Sequence, residues 1–405
     1  MKYLIFALCC FVSVAKAQNN NDNKRYKKVH QRAIMADSHN DLLTASIEKN
    51  LRIDQDLSGK THSDLQRFKE AGVDVQIFSV WCDGEKKQPY AWANREIDTL
   101  YAVAARNPDK IQIVQTFSDI KKAVRKNKLA ALFGVEGGHM IEGDLNKLEA
   151  LYNRGVRYMT LTWNNSTEWA TSAMKESSLS DSEKSALNNS NQQAQNIGLT
   201  PFGKQVVKKM NDLGMMVDLS HVGEKTFWDA IQTTTKPILV SHSNAYTLCP
   251  VFRNLKDDQI DAVGKNGGVI QLNFYSAFID SSFKRREKAF LLNKQAKIDS
   301  LVATGMQKEY AQSMIVDMYK EESIAIQPPM EMLLAHLDYI VNRIGVDHVG
   351  MGSDFDGISA SPKELTDVTS YPLITKALLE RGYSKKDVYK IMGGNLLRVM
   401  KAQHN

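Results

Sequence analysis

The chain has 405 residues, 43% of them hydrophobic and 24% charged, an ordinary globular composition with ample apolar material for a large core. The formal net charge is +6, with Lys and Arg scattered among Asp and Glu apart from short runs such as Lys86-Lys87 and Lys284-Arg285-Arg286. That is a mixed solvated surface, and it argues against nucleic acid as a partner.

At the start of the chain, Lys2 precedes an apolar run over 3–14 and the small-x-small sequence Ala15-Lys16-Ala17. This is the pattern of an export signal cleaved near Ala17, and the run is too short to span a bilayer. The expectation is a periplasmic or extracellular protein with no transmembrane segment. Residues 18–28 are rich in Asn, Gln and Lys, lack an apolar period and read as a disordered leader. One domain is expected over 29–405. Beyond the signal only Cys82 and Cys249 remain; their separation leaves pairing open, and the fold must rest on its core.

From there short apolar runs alternate with longer amphipathic stretches. Strands are predicted over 34–41, 75–81, 130–136, 158–163, 215–221, 237–242, 268–274 and 348–354. Helices are predicted over 64–71, 91–105, 118–125, 145–152, 202–213, 225–232, 257–263 and 330–344, with two more at 371–379 and 385–401. Strand then helix, repeated eight times, predicts an α/β fold whose parallel sheet closes into a (β/α)8 TIM barrel. Two insertions interrupt the rhythm. Residues 171–199 are rich in Ser, Asn and Gln, and 278–327 are charged and helix-prone. Both follow strand ends, where barrel enzymes build their sites, so they are expected to form a rim or lid.

The predicted strand ends carry the chemistry. The first ends in Asp37-Ser-His39-Asn-Asp41 and the third in Gly134-Val-Glu136-Gly-Gly-His139. The fifth ends in Asp218-Leu-Ser-His221, the sixth in Ser241-His242-Ser243 and the eighth in Gly352-Ser-Asp354-Phe-Asp356-Gly357. Imidazole nitrogens and carboxylate oxygens are the donors that bind zinc. A barrel brings all its strand ends to one rim, so these segments would meet around one point. His39 and Asp41, two apart, would share a strand face and suit one ion, while Asn40 points away and fixes backbone. Glu136, with two oxygens, could bridge two ions, and His221 and His242 could complete the second.

A lone strand-end His is more often a hydrogen-bonded structural residue, and a lone Asp a turn or helix cap. Five such ends on one rim are different. Burying Asp41, Glu136 and Asp354 together without a cation incurs severe like-charge repulsion. The prediction is a barrel of the metal-dependent hydrolase type. His30 and His404 fall in expected tails and His62, His336 and His348 in helix or turn contexts, all structural. His139 reads as structural or as a group standing behind the ligands, Asp356 as a loop cap or a carboxylate behind them, and Asp218 as facing the barrel wall or orienting His221.

DSHNDL, GVEGGH, RYMTLTW, GLTPFGKQVV, DLSH, SHSNAYTLCPVFRN and HVGMGSDFDG stand in this order along 36–399. On these motifs the chain resembles the membrane (renal-type) dipeptidases, a family of dizinc barrel peptidases. The resemblance implies two zinc ions per chain, the first held by His39 and Asp41, the second by His221 and His242, with Glu136 bridging. It implies that Asp354 is the catalytic acid/base beside them, that Arg253 of VFRN receives the substrate's terminal carboxylate, and that the protein is a homodimer acting on dipeptides. A planar bidentate guanidinium suits that carboxylate better than Lys. One position departs: Trp163 stands in LTW where the family usually has a histidine that contacts substrate, and Glu168 stands where it often has Pro. Trp offers one N–H and no charge, which bears on substrate range and rate. The expected chemistry is attack on the peptide carbonyl by a hydroxide bridging the metals. Hydrolysis of another small amide, lactone or ester, such as an N-acyl amino acid, and metal-retaining binding without catalysis are the alternatives.

Overall fold

The computed structural model describes residues 25–180, 182–183, 197–304, 306 and 308–404. The expected export signal, the leader up to residue 24 and most of 181–196 lie outside these residues.

All eight expected strands form, generally shorter than the apolar runs that announced them. They are β1 (Met35–Asp37), β2 (Val73–Val80), β4 (Leu129–Glu136), β5 (Val156–Thr160), β6 (Met216–Asp218), β7 (Leu239–Val240), β8 (Val269–Leu272) and β9 (Val349–Met351). Every pairing is parallel; the order runs β2-β1-β9-β8-β7-β6-β5-β4, and β2 pairs with β4 to close the ring. The protein is a (β/α)8 TIM barrel. A ninth strand, β3 (Ile111–Ile113), was not expected. It lies along residues 129–131, on the edge of β4 that β5 takes over from Phe133 onward. Three residues centred on a polar Gln112 are too few to show a period.

Alternation along the strands divides the core. Val75, Ile77, Ala130, Leu132, Tyr158, Met216, Leu239 and Val269 form one buried cluster, joined by Leu396, Leu397, Val399 and Met400 of the last helix. Their neighbours Phe78, Ala131, Phe133, Val217, Val240 and Ile270 belong to the larger cluster shared with the surrounding helices. Each buried Val, Leu, Ile, Phe or Met among these contributes about 1.5–3 kcal/mol, enough to hold strand ends that carry polar groups. The helices start and stop by local chemistry. Pro201–Leu213 opens with Thr200, whose side chain accepts from the Gly203 N–H, and closes on left-handed Gly214.

Other departures from expectation have similar reasons. The helix expected over 385–401 is interrupted at Gly393, where a Cβ would lie 2.3 Å from the Ile34 carbonyl oxygen; the glycine lets the chain lie against the start of β1. A helix over Leu42–Glu48 follows the first strand immediately. The last residues of the expected leader, 25–28, belong to a helix over 25–30. That helix buries His30, bonded to Thr375 Oγ1 and the Ala71 carbonyl at 2.8 Å each, so His30 is packed rather than in a tail.

The insertion at 278–327 forms the helices Phe283–Leu292, Gln295–Ala303, Lys308–Met318 and Lys320–Ala325 around a small core of Phe290, Ile298, Ala311 and Ile315. Of the insertion at 171–199, the described part includes a short helix, Ala173–Ser177. Among the described residues no helix is long and apolar enough to cross a membrane. Cys82 and Cys249 are both buried and free.

Candidate active site

The carboxyl ends of the strands converge on a cavity of about 490 Å³ lined by Asp41, Trp81, Glu136, Trp163, His221, Arg253 and Asp354 among others. The loops after β1 and β9 run side by side. Asp354 N–H donates to the His39 carbonyl at 3.1 Å and Asp41 N–H to the Phe355 carbonyl at 2.9 Å, which puts His39, Asp41 and Asp354 together. His39 and Asp41 lie beyond the end of β1, so strand alternation is not what aligns them. The turn that makes Asp41 the N-cap of the Leu42–Glu48 helix brings its Oδ2 to 3.5 Å from His39 Nε2. His221 and Asp354 both adopt left-handed backbone, with φ of 62° each, conformations that non-glycine residues adopt mainly where surrounding structure enforces them. Gly357 completes the cradle, because a Cβ there would stand 2.2 Å from Asp41 Oδ2 and 2.7 Å from Asp354 Oδ1.

Glu136, at the end of β4, lies at the centre. Its Oε2 is 3.4 Å from His39 Nε2, while its Oε1 is 2.8 Å from His221 Nε2 and 3.4 Å from His242 Nε2. The two oxygens thus face two different sets of donors. His39 with Asp41 and Glu136, Glu136 with His221 and His242, and His39 with His242 and Asp354 each form a group able to hold a metal ion.

Hydrogen bonding prepares these donors for a cation. Tyr158 gives its hydroxyl hydrogen to the Ser38 carbonyl at 3.1 Å and so accepts from His39 Nδ1 at 2.7 Å. Ser241 gives its hydrogen to Asp218 Oδ2 at 2.6 Å and accepts from His242 Nδ1 at 2.8 Å. With Nδ1 as the donor, the neutral form of each imidazole presents a bare Nε2 to the cavity, the form in which it can hold a cation. His39 Nε2 and Asp41 Oδ1 are buried without a hydrogen-bond partner, and the Nε2 atoms of His221 and His242 face each other at 2.9 Å. Lone pairs gathered in this way fit divalent metal and little else.

Electrostatics agrees. Burial drives His221 down to about 4, helped by the Arg253 charge, and burial with the His39 charge takes His242 well below its usual value; both are neutral at pH 7, the ligating form. Burial lowers His39, but Tyr158, Glu136 and Asp41 outweigh it and hold this ring well above its ordinary value. Burial in turn raises the Glu136 carboxyl, but the His39 charge, with the close approach of the His221 and His242 rings, holds it well below the ordinary range. Burial lifts Asp354 well above it, and the Asp41 and Glu136 charges push the same way.

Arg253 lines another side of the cavity. It is buried, donates from Nη2 to the His242 carbonyl at 3.2 Å, and leaves Nε buried without a partner. Burial lowers it to about 10, so it stays cationic at neutral pH. Trp163 also lines the cavity, edge to face with Trp81 at 5.0 Å and 6.5 Å from the His221 ring.

Asp218 bonds Ser220, Ser241 and Thr160 and does not reach the His221 ring, whose Nδ1 faces Asn164 Oδ1 at 3.1 Å. Asp356 accepts from the His62 N–H at 2.6 Å and from Ser63 Oγ, and Asn40 Nδ2 donates to Ser63 Oγ at 3.1 Å, bracing the loop behind Asp41. His139 bonds the Cys82 carbonyl at 3.1 Å and belongs to none of the metal-holding groups among the described residues. His336 and His348 bond main chain. Sequence reasoning missed Tyr158, Asn164 and Asn273, the last donating to Asp354 Oδ2 at 2.8 Å. Asn273 follows β8 directly, and that strand-end position was the available signal. Tyr158 lies inside a strand and gave none; its ring passes over Gly134, where a Cβ would meet the Tyr158 ring at 2.0 Å.

Fold and site together define a TIM barrel with a cluster of carboxylates and imidazoles able to hold metal at its mouth. The chain belongs to the membrane dipeptidase family, peptidase family M19, whose model matches residues 23–405. It is 32% identical over 399 residues to the uncharacterized dipeptidase C965.12 of Schizosaccharomyces pombe, covering 93% of this chain and 82% of that one. Among solved structures it is similar to the probable dipeptidase PvdM from Pseudomonas aeruginosa, with a TM-score of 0.75 at 22% identity over 95% of this chain and 98% of that one. It is also similar to a metallo peptidase from Rhodobacter sphaeroides liganded with a phosphinate mimic of the dipeptide L-Ala-D-Ala, with a TM-score of 0.70, 22% identity and coverage of 92% and 99%. The protein is a metal-dependent peptidase of this family.

Proposed function

We propose that this chain is a two-zinc dipeptidase whose first ion is held by His39 and Asp41 and whose second is held by His221 and His242, with Glu136 bridging. The observation that carries this reading is the split of Glu136, one oxygen toward His39 and the other toward His221 and His242. When bound, the zinc pair polarises the scissile carbonyl and acidifies the attacking water from ~15.7 toward ~7, which makes hydroxide available near neutral pH.

The residues of the chain do the rest. Asp354, with Oδ2 held by Asn273, keeps Oδ1 toward the cluster at 4.0 Å from His39 Nε2. It takes the proton of the nucleophile and returns it to the leaving amine, a role suited to a carboxyl whose proton affinity burial has raised. Arg253 pairs its unpartnered Nε edge with the substrate's terminal carboxylate and so measures length, since a longer peptide would carry that charge elsewhere. Trp163 bounds the substrate and donates a neutral N–H. Family membership and the phosphinate dipeptide mimic on the Rhodobacter relative support dipeptides as the substrate class.

The test is a panel of dipeptides, tripeptides and N-acyl amino acids assayed before and after chelation, with metal content measured on the same sample. Dipeptide hydrolysis that falls with the loss of two zinc equivalents per chain is expected. Preference for N-acyl amino acids, or two bound metals with no hydrolysis of any substrate, would overturn the assignment.

A further inference from the structure

The same polar knot occurs twice at the barrel mouth. Asp37, the last residue of β1, accepts at Oδ1 from the N–H of His39, two residues on, at 3.2 Å and from the N–H of Ser353 at 3.0 Å. Its Oδ2 accepts from Ser353 Oγ at 2.6 Å and from the Tyr371 hydroxyl. Asp218, the last residue of β6, accepts at Oδ1 from the N–H of Ser220, again two residues on, at 3.2 Å and from the N–H of Ser241 at 2.8 Å. Its Oδ2 accepts from Ser241 Oγ at 2.6 Å and from the Thr160 hydroxyl. Both carboxylates are fully buried, and each ties a strand end to its neighbour in the barrel, β1 to β9 and β6 to β7.

Each knot lies just ahead of metal-binding side chains. Beyond the Asp37 knot, its two chain segments lead to His39 and Asp41, and to Asp354; beyond the Asp218 knot they lead to His221 and to His242. Glu136 alone of the proposed site carboxylates and imidazoles lies outside both. Hydrogen bonds from four donors to a buried carboxylate are strong and directional, so each knot sets the separation of two loops that must present donors to one ion. The Asp218 knot does more, because its Ser241 hydroxyl, committed to Asp218, can only accept from His242 Nδ1.

We infer that Asp37 and Asp218 are positioning residues, each serving a different ion of the pair: Asp37 the ion on His39 and Asp41, Asp218 the ion on His221 and His242. The inference rests on the two-zinc reading above. Neither carboxylate touches substrate or metal; each acts through the loop it fastens, and Asp218 also through Ser241, which holds His242 in the tautomer with Nε2 free. An amide in place of either acid must turn an NH2 either toward two N–H groups, which repel it, or toward two hydroxyls, which must then reverse and accept, so Asp37→Asn and Asp218→Asn each disturb half a knot.

The experiment is stepwise chelator titration of the zinc-loaded full chain, read as zinc retained per site, with melting temperatures of the metal-free proteins alongside. Ser241→Ala and Ser241→Thr are included because they alter the Asp218 relay with less risk to folding. The expected result is selective loss. Asp218→Asn and Ser241→Ala weaken one equivalent 10–100-fold and leave the other near parental strength, Ser241→Thr restores most of it, and Asp37→Asn weakens the other equivalent. Equal weakening of both equivalents in step with a fall in the metal-free melting temperature would mean that the knots serve stability alone, and would overturn the inference. So would Ser241→Ala with parental zinc affinity, should the Asn variants not fold. A parent chain that retains fewer than two equivalents fails the two-zinc reading itself, before any variant is compared.

Discussion

At the scale of single residues, Arg253 and Trp163 line the cavity and belong to none of the metal-holding groups among the described residues. Arg253 is a buried cation whose Nε has no hydrogen-bond partner, an expensive arrangement unless an anion arrives to meet it. Arg253→Ala is expected to raise KM for dipeptides roughly 10–100-fold with a much smaller change in kcat, and Arg253→Lys to restore only part, because a point charge cannot replace a bidentate fork. Steady-state kinetics on one dipeptide checks both; an unchanged KM would remove Arg253 from substrate binding. Trp163 can give one neutral hydrogen bond where an imidazole could also carry charge. Trp163→His is expected to raise kcat roughly tenfold or more, with KM changing less, if a donor at that wall meets developing negative charge. A kcat that stays level or falls would leave Trp163 as a steric wall only.

At the scale of elements, His336 shows how the frame behind the site is held. From the helix Met330–Ile344 it accepts the Ala245 N–H at 3.1 Å and reaches the Ile279 carbonyl at 3.1 Å, fastening the loop after β7 to the start of the large insertion. Burial lowers it from the ordinary 6.5 to about 4. The folded chain therefore binds fewer protons than the unfolded one between those values. The stability this contributes is complete above about 6.5 and is lost as pH falls toward 4, on the order of 1–3 kcal/mol. Urea midpoints measured from pH 7 to 4 should fall less steeply for His336→Gln than for the parent, although the variant starts lower. Parallel curves would assign the acid sensitivity to other groups.

At the scale of the whole molecule, metal and fold are linked. Donors from the ends of five strands converge on one cluster, so ions that bind only the closed barrel stabilise it by mass action, about 4 kcal/mol per site at a thousandfold excess over Kd. Removing metal with a chelator is expected to lower Tm by roughly 5–15 °C, reversibly on adding zinc, in a calorimetric or fluorescence melt. An unchanged Tm would mean that the barrel closes without help and that the knots of Asp37 and Asp218 suffice.

Much of this was legible in the chain alone, for a physical reason. Strand periodicity and the recurrence of His, Asp and Glu just past the apolar runs are local properties, and a barrel gathers all strand ends at one mouth, so the donor set His39, Asp41, Glu136, His221, His242 and Asp354 could be named from the sequence. Local pattern does not encode direction or partner. Only the tertiary structure decided that His39 and Asp41 meet through a turn rather than a strand face, that Asp218 serves His242, that Tyr158 crosses above Gly134 to fix His39, and that a three-residue strand sits against β4. Each depends on contacts between residues well separated along the chain, from 18 positions for Ile111 and Leu129 to 314 for Asp41 and Phe355, and contacts of that kind leave no period to read.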